Sequence, residues 1–179
     1  MKRSSAKAVA IEQTLCQRCG ICCDGALFSG VQLQPGDSAP ALRELGLSVR
    51  KQGKGWRLLQ PCAALDGCHC RVYAERPTHC RQFRCRLLDQ LRDGEVALEP
   101  ALRVVRRARR LANQVQALLE SLGETDARAP LKLRAKRILA ALEHPSTSRE
   151  DLVRLGELTQ QLHQLHLLLS TRFYVEAPE

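Results

Sequence analysis

Cys16-Gln17-Arg18-Cys19-Gly20-Ile21-Cys22-Cys23 puts four cysteines into eight residues, a density that a hydrophobic core has no reason to require. Buried free cysteines act as small hydrophobes and can be scattered through a core. Metal ligands instead need short, turn-compatible spacings, so that several sulfurs converge on one ion. The stretch therefore reads as a metal-binding segment. Gly20 can take a left-handed backbone without steric cost, which would let the chain turn tightly around an ion held by Cys16 and Cys19. Cys22 and Cys23 are neighbours, and their side chains are expected to leave the backbone in different directions. One of the pair then faces a second ion or stays a free thiol.

Outward from this run, Cys62, Cys68, Cys70, Cys80 and Cys85 complete a set of nine, and none follows in the rest of the 179 residues. The one-sided distribution predicts two unlike halves. A flexible basic tail over 1–12 precedes a cysteine-cluster domain over 13–95 and a helical extension over 96–179. After the basic start, Ala8-Val9-Ala10-Ile11 is too short for a signal sequence and is broken at Glu12. No window is long enough to span a membrane, and a cytoplasmic location is expected. In that reducing setting clustered cysteines serve as metal ligands or redox groups rather than as a disulfide framework, and an odd count fits disulfides poorly.

The net charge of +9 invites a nucleic-acid reading. By segment, 15 Lys+Arg oppose 9 Asp+Glu in residues 1–95, and 13 oppose 10 in 96–179. Eight bound thiolates with two divalent ions would bring the first segment to roughly +2. Much of the basicity thus belongs to the metal-free chain, which weakens the case for nucleic acid as main partner.

Aromatic residues make up 3% of the chain, so aliphatic packing must dominate. A short strand is expected within 27–33, ended by Pro35-Gly36, then a short helix capped by Asp37 or Ser38 with Leu42 and Leu45 on its apolar side. Residues 47–51 and 56–59 form a hairpin around Gly53-Lys54-Gly55, with Trp56 packed over a small core. Thr78 caps a helix running through Cys80, Phe83, Leu87, Leu88 and Leu91. Cys80 and Cys85 would diverge on one regular helix, so a break or shared loop is required if both bind one ion.

Beyond residue 100 three helices follow at helical spacing. The first carries Val104, Val105, Ala108, Leu111, Val115, Leu118, Leu119 and Leu122. The second has Leu131, Ala135, Ile138, Leu139 and Leu142. The third, capped by Thr147 or Ser148, has Leu152, Leu155, Leu158, Leu162, Leu165 and Leu169. Short connections imply antiparallel packing. The expected fold class is mainly α, with a small irregular cysteine-rich α+β metal-binding module and a C-terminal antiparallel helical hairpin or three-helix extension.

Cys16, Cys19, Cys22 and Cys23, followed by Pro61-Cys62, Leu65, Cys70, Tyr73, Arg76-Pro77, Cys80-Arg81, Phe83 and Cys85, resemble the CxxCxxCC zinc- or iron-chelating family, the YkgJ-like cysteine cluster proteins. The resemblance covers roughly residues 13–90. It implies metal chelation through Cys16, Cys19, Cys22, Cys23, Cys62, Cys70, Cys80 and Cys85, leaves Cys68 outside the pattern, and brings no reaction with it.

Zinc takes four tetrahedral Cys or His ligands, and eight motif cysteines could complete two such sites. An iron–sulfur cluster also takes four thiolates, but Cys23 falls too early to be the fourth cysteine of a ferredoxin motif. Zinc or mononuclear iron is the first expectation, and an iron–sulfur redox or accessory protein is the alternative. His69 and His79 are alternative ligands. Arg81 and Arg76 are candidates to neutralise the thiolates. Arg103, Arg106, Arg107 and Arg110 form a ridge that is either a solvated face or a contact for an acidic partner or nucleic acid. That ridge sustains a third reading, a zinc-stabilised nucleic-acid binder. His163 and His166 read as solvated. No phosphate loop or catalytic triad is recognisable, so no catalytic residue is assigned, and the chain reads as a binder rather than an enzyme. The enzymatic possibility is a spare thiolate nucleophile at Cys22, Cys23 or Cys68.

Overall fold

The computed structural model describes residues 6–141 and 148–174. Chain order begins with α1 (Ala6–Gln17), which is helical where a tail over 1–12 was expected; residues 1–5 lie outside the described part. Alanine is the best helix former, and Ala6, Ala8 and Ala10 favour the helix while Leu15 anchors it, almost fully buried. α1 carries Cys16 in its last turn.

Next come β1 (Gly30–Gln32), α2 (Ala39–Glu44), β2 (Val49–Gln52) and β3 (Gly55–Leu59). The three strands form one antiparallel sheet in the order β1-β3-β2. The β2–β3 hairpin has the expected position, with Gln52 opposite Gly55 across Gly53-Lys54. Ser38 rather than Asp37 caps α2, its Oγ accepting from Ala41 N–H at 3.3 Å. Asp37 accepts instead from the backbone N–H and hydroxyl of Thr78, both at 2.8 Å. Leu45 is largely exposed rather than core. Trp56 packs against a small cluster of Val31, Ala39, Leu42, Leu47, Val49, Leu58 and Ala64, with the Arg43 guanidinium over its ring.

A two-stranded ladder, β4 (Leu65–Asp66) with β5 (His69–Cys70), leads to α3 (Thr78–Gln82) and α4 (Arg86–Arg92). These two replace the single helix expected from Thr78 to Leu91. Phe83 and Cys85 are extended, and Pro77 rather than Thr78 stands at the cap position. An aromatic group holds the break, with Phe28 edge-on to Phe83 at 4.9 Å between ring centroids and His79 stacked on Phe83.

The C-terminal half is α5 (Leu98–Ser121), α6 (Leu131–Ala141) and α7 (Arg149–Arg172). α5 is the common partner, packing against both of the others and against α1 and α4. The expected stripe on α5 is largely realised, with Val105, Ala108, Leu111, Val115 and Leu119 buried. Ser148 caps α7 by accepting from Asp151 N–H; Thr147 and Leu142 lie outside the described residues. Leu139 and Leu152 are exposed, against expectation, because the apolar faces that α5 covers are narrower than the Leu patterns suggest.

The packing does not divide near residue 95. One core joins Leu15, Ile21, Leu27, Leu87 and Leu88 to the α5 stripe, Leu131, Leu158, Leu165, Leu169 and Phe173. Backbone bonds reinforce it, with Leu131 N–H donating to Gly25 O at 3.1 Å and the Tyr174 hydroxyl donating to Leu27 O at 3.1 Å. Among the described residues no helix is long and apolar enough to cross a membrane.

Candidate metal centre

The segment after α1 is two tight turns pinned by Ile21, which is fully buried. Cys19 N–H bonds back to Cys16 O at 3.1 Å, and Cys23 N–H to Gly20 O at 2.8 Å. Gly20 makes the reversal possible, at φ +72°, where a side chain would be strained. A Cβ there would also stand 3.2 Å from Cys68 Cα and 3.3 Å from an Arg109 nitrogen.

These turns bring Cys16, Cys19, Cys22 and Cys23 to a cavity of about 250 Å³, whose wall also includes Cys68, Cys70, Cys80 and Cys85. Cys62 lies outside that wall, but its N–H donates to Cys23 O at 2.7 Å. All nine cysteines are free thiols and partly buried. The Cys22 and Cys23 side chains do not diverge at their tips, since their sulfurs are 3.6 Å apart in a thiol–thiol contact.

Electrostatics holds most of the cluster protonated. Burial pushes the Cys16 and Cys80 thiols up to about 12, with neighbouring cysteines adding to it, and the Cys85 thiol up to about 11. Cys19 and Cys62 are raised by burial as well. Cys22 is lowered by accepting the Cys23 thiol proton, and that same bond raises Cys23. Burial lifts the Asp24 carboxyl to about 6.

Cationic groups are arranged around the sulfurs. Arg76 opposes the rise at Cys16 and Cys80 and lowers Cys22. It is fixed by stacking on Tyr73, by donating from Nε to Tyr73 O at 2.8 Å and by a longer bond to Cys80 O. Arg81 lines the same cavity but is exposed and bonded to Thr78. Arg84 also faces Cys16 and is itself paired with Glu12 at 2.7 Å and Asp89 at 3.1 Å. Arg109, not singled out by the sequence, reaches from α5 to Cys19 O at 2.9 Å and Gly67 O at 3.3 Å. Its signal was hidden, because Arg109 sits among the other arginines of α5, and only packing separates it from the ridge.

Of His69, His79, His163 and His166, His79 lines the same cavity as the thiols. His69 is exposed and precedes Cys70 on β5, where adjacent side chains alternate faces. His79 is engaged with Phe28 and Phe83, and His163 and His166 are exposed.

The donors suit a thiophilic ion, since buried thiols with arginine nearby match the preference of zinc and iron for sulfur. They are not a closed cage. Among the described residues no three His, Cys, Asp or Glu side chains stand in a ready ligand set. Sulfurs bound to one zinc lie about 3.8 Å apart, as tetrahedral geometry with 2.3 Å bonds requires. Cys22 and Cys23 already stand 3.6 Å apart through their own thiol contact; four protonated thiols have no reason to converge that closely, and deprotonation by a metal would supply one.

A family model described as "CxxCxxCC: Putative zinc- or iron-chelating domain" matches residues 15–99. The cysteine segment is thus similar to the CxxCxxCC family over residues 15–99. The match covers every cysteine of the chain and stops at the start of α5. No curated protein and no solved structure matches the chain.

Proposed function

We propose that the cysteine segment chelates zinc or iron(II) through the thiolates of Cys16, Cys19, Cys22, Cys23, Cys62, Cys70, Cys80 and Cys85, and that binding completes the fold of this half. The observation that carries this reading is the gathering of thiols from three separated segments around one partly buried cavity, with Arg76 beside them. Each bound thiol gives up its proton, and Arg76 offsets the charge that results. Metal analysis of protein purified without air or added metal tests it. Zinc or iron at a whole-number ratio to the chain is expected; metal-free protein with unchanged thermal stability would remove the reading.

The same thiols support an iron–sulfur redox or accessory protein as the second reading, since clusters also take cysteine thiolates. Anaerobic purification separates the two: a brown protein with visible absorption and acid-labile sulfide favours a cluster, and a colourless zinc protein rejects it. A nucleic-acid or acidic-protein contact rests on the exposed Arg103, Arg106, Arg107 and Arg110. Arg106 and Arg110 border a shallow groove with Arg109, Asn113 and Gln114. Nucleic-acid affinity indifferent to salt and to charge reversal at Arg106 and Arg107 would eliminate that contact.

A further inference from the structure

The motif thiols do not surround the cavity evenly, and packing sorts them. Cys16, Cys19, Cys22 and Cys85 lie against the large core shared with α5, whereas Cys62 and Cys80 lie against the small cluster under the three-stranded sheet. The backbone sorts the others in the same way. Cys62 N–H bonds to Cys23 O, Leu65 N–H bonds to Cys62 O at 3.0 Å, and Leu65 is opposite Cys70 across the β4–β5 ladder. Cys23, Cys62 and Cys70 therefore hang on one set of hydrogen bonds. The break between α3 and α4 separates the last two, leaving Cys80 on the sheet side and starting α4 at Cys85, where α4 packs on α1.

Resting on the chelation reading above, we propose that the thiols make two distinct four-thiolate sites. Cys16, Cys19, Cys22 and Cys85 form one, Cys23, Cys62, Cys70 and Cys80 form the other, and the two meet at the Cys22–Cys23 peptide. Each group has the four ligands that a closed tetrahedral site requires. With the two sulfurs 3.6 Å apart, the ions would lie within about 8 Å, the sum of that contact and two metal–sulfur bonds. Two divalent ions on eight thiolates leave four negative charges. Arg76 lines the cavity together with Cys16, Cys22 and Cys80 and donates to Cys80 O, so one guanidinium is within the wall that both groups share.

The test is an anaerobic titration of the metal-free full chain with cobalt(II) alone. The proposal expects two ions per chain, each with the visible and sulfur charge-transfer absorption of tetrahedral thiolate cobalt. The double variants C16S/C85S and C62S/C80S are each expected to keep one such ion. Saturation of the unaltered chain at one ion would overturn the proposal while leaving chelation standing; no cobalt bound at all would defeat the chelation reading itself. Should a variant fail to fold by circular dichroism, electron paramagnetic resonance of the unaltered two-cobalt protein decides. Spin coupling absent from the half-loaded form is expected of two ions this close, and two independent signals would overturn the arrangement.

Discussion

Helices α5, α6 and α7 bury a continuous set of aliphatic side chains, with Ala101, Ala108, Val115, Leu119 and Leu158 fully enclosed. The cysteine half, outside the residues it lends to that core, buries only a small cluster of seven residues, two of them alanines. Fully burying a large aliphatic side chain is worth about 1.5–3 kcal/mol, so the helical half can be held by hydrocarbon. The segments bearing Cys62, Cys70 and Cys80 have little hydrocarbon to share, and thiols stand where apolar contacts would otherwise be. The difference teaches that thiols pack where hydrocarbon is thin, and that α5 is the surface on which both halves are assembled.

The strongest way to break this comparison is to remove the metal that this half is proposed to bind. A chelator that strips it should unfold the region from Cys16 to Cys85 while much of the α5–α7 helicity survives, followed by circular dichroism and amide hydrogen exchange. Structural zinc sites in small peptides are worth roughly 10–16 kcal/mol, so the loss should dominate every other change here. Equal loss of protection in both halves would show that they do not differ in this way.

Alkaline pH probes the same contrast in metal-free protein. Cys16, Cys80 and Cys85 have thiols raised above the ordinary value of 9.0, to about 12, 12 and 11. The folded state therefore holds these protons more tightly than the unfolded chain. Their contribution to stability is complete below pH 9 and is lost as pH rises toward 11–12. Denaturant titrations across that range should show the fall, and a metal-loaded sample, whose thiols have already lost their protons, should not follow it.

On the helical side, Leu119→Ala removes a fully buried side chain and should cost about 2–5 kcal/mol. Urea denaturation should register this with metal present or absent, because the contact is independent of the thiols. Smaller still is the coupling between halves. Arg109→Ala removes the bonds to Cys19 O and Gly67 O, a loss of about 1–3 kcal/mol. The variant should release cobalt faster while the thermal stability of α5–α7 changes little.

Some of this was legible and some was not, for physical reasons. The α5 stripe and the Gly53-Lys54 hairpin follow from periodicity and turn chemistry, which are local. Leu139 and Leu152 carried the same apolar signal, yet they face solvent, since periodicity marks a face without saying how much of it a neighbour covers. Thr78 looked like a cap, but Asp37, distant in sequence, engages both its hydroxyl and its N–H. The helix break before Cys85 was visible only as a requirement, because it is maintained by Phe28 from another segment.

By itself, the sequence determined the chemistry of this protein: the types and spacing of the thiols, the matching family pattern, and the aliphatic helices, all properties of residues close together in the chain. Tertiary structure alone decided which thiols lie against which core cluster, that Arg76 is held beside them by Tyr73 and Cys80 O, and that Arg109 ties α5 to the cysteine turns. Those outcomes depend on how elements distant in sequence pack, and on which charges burial leaves within reach of one another. No local pattern of residues encodes that.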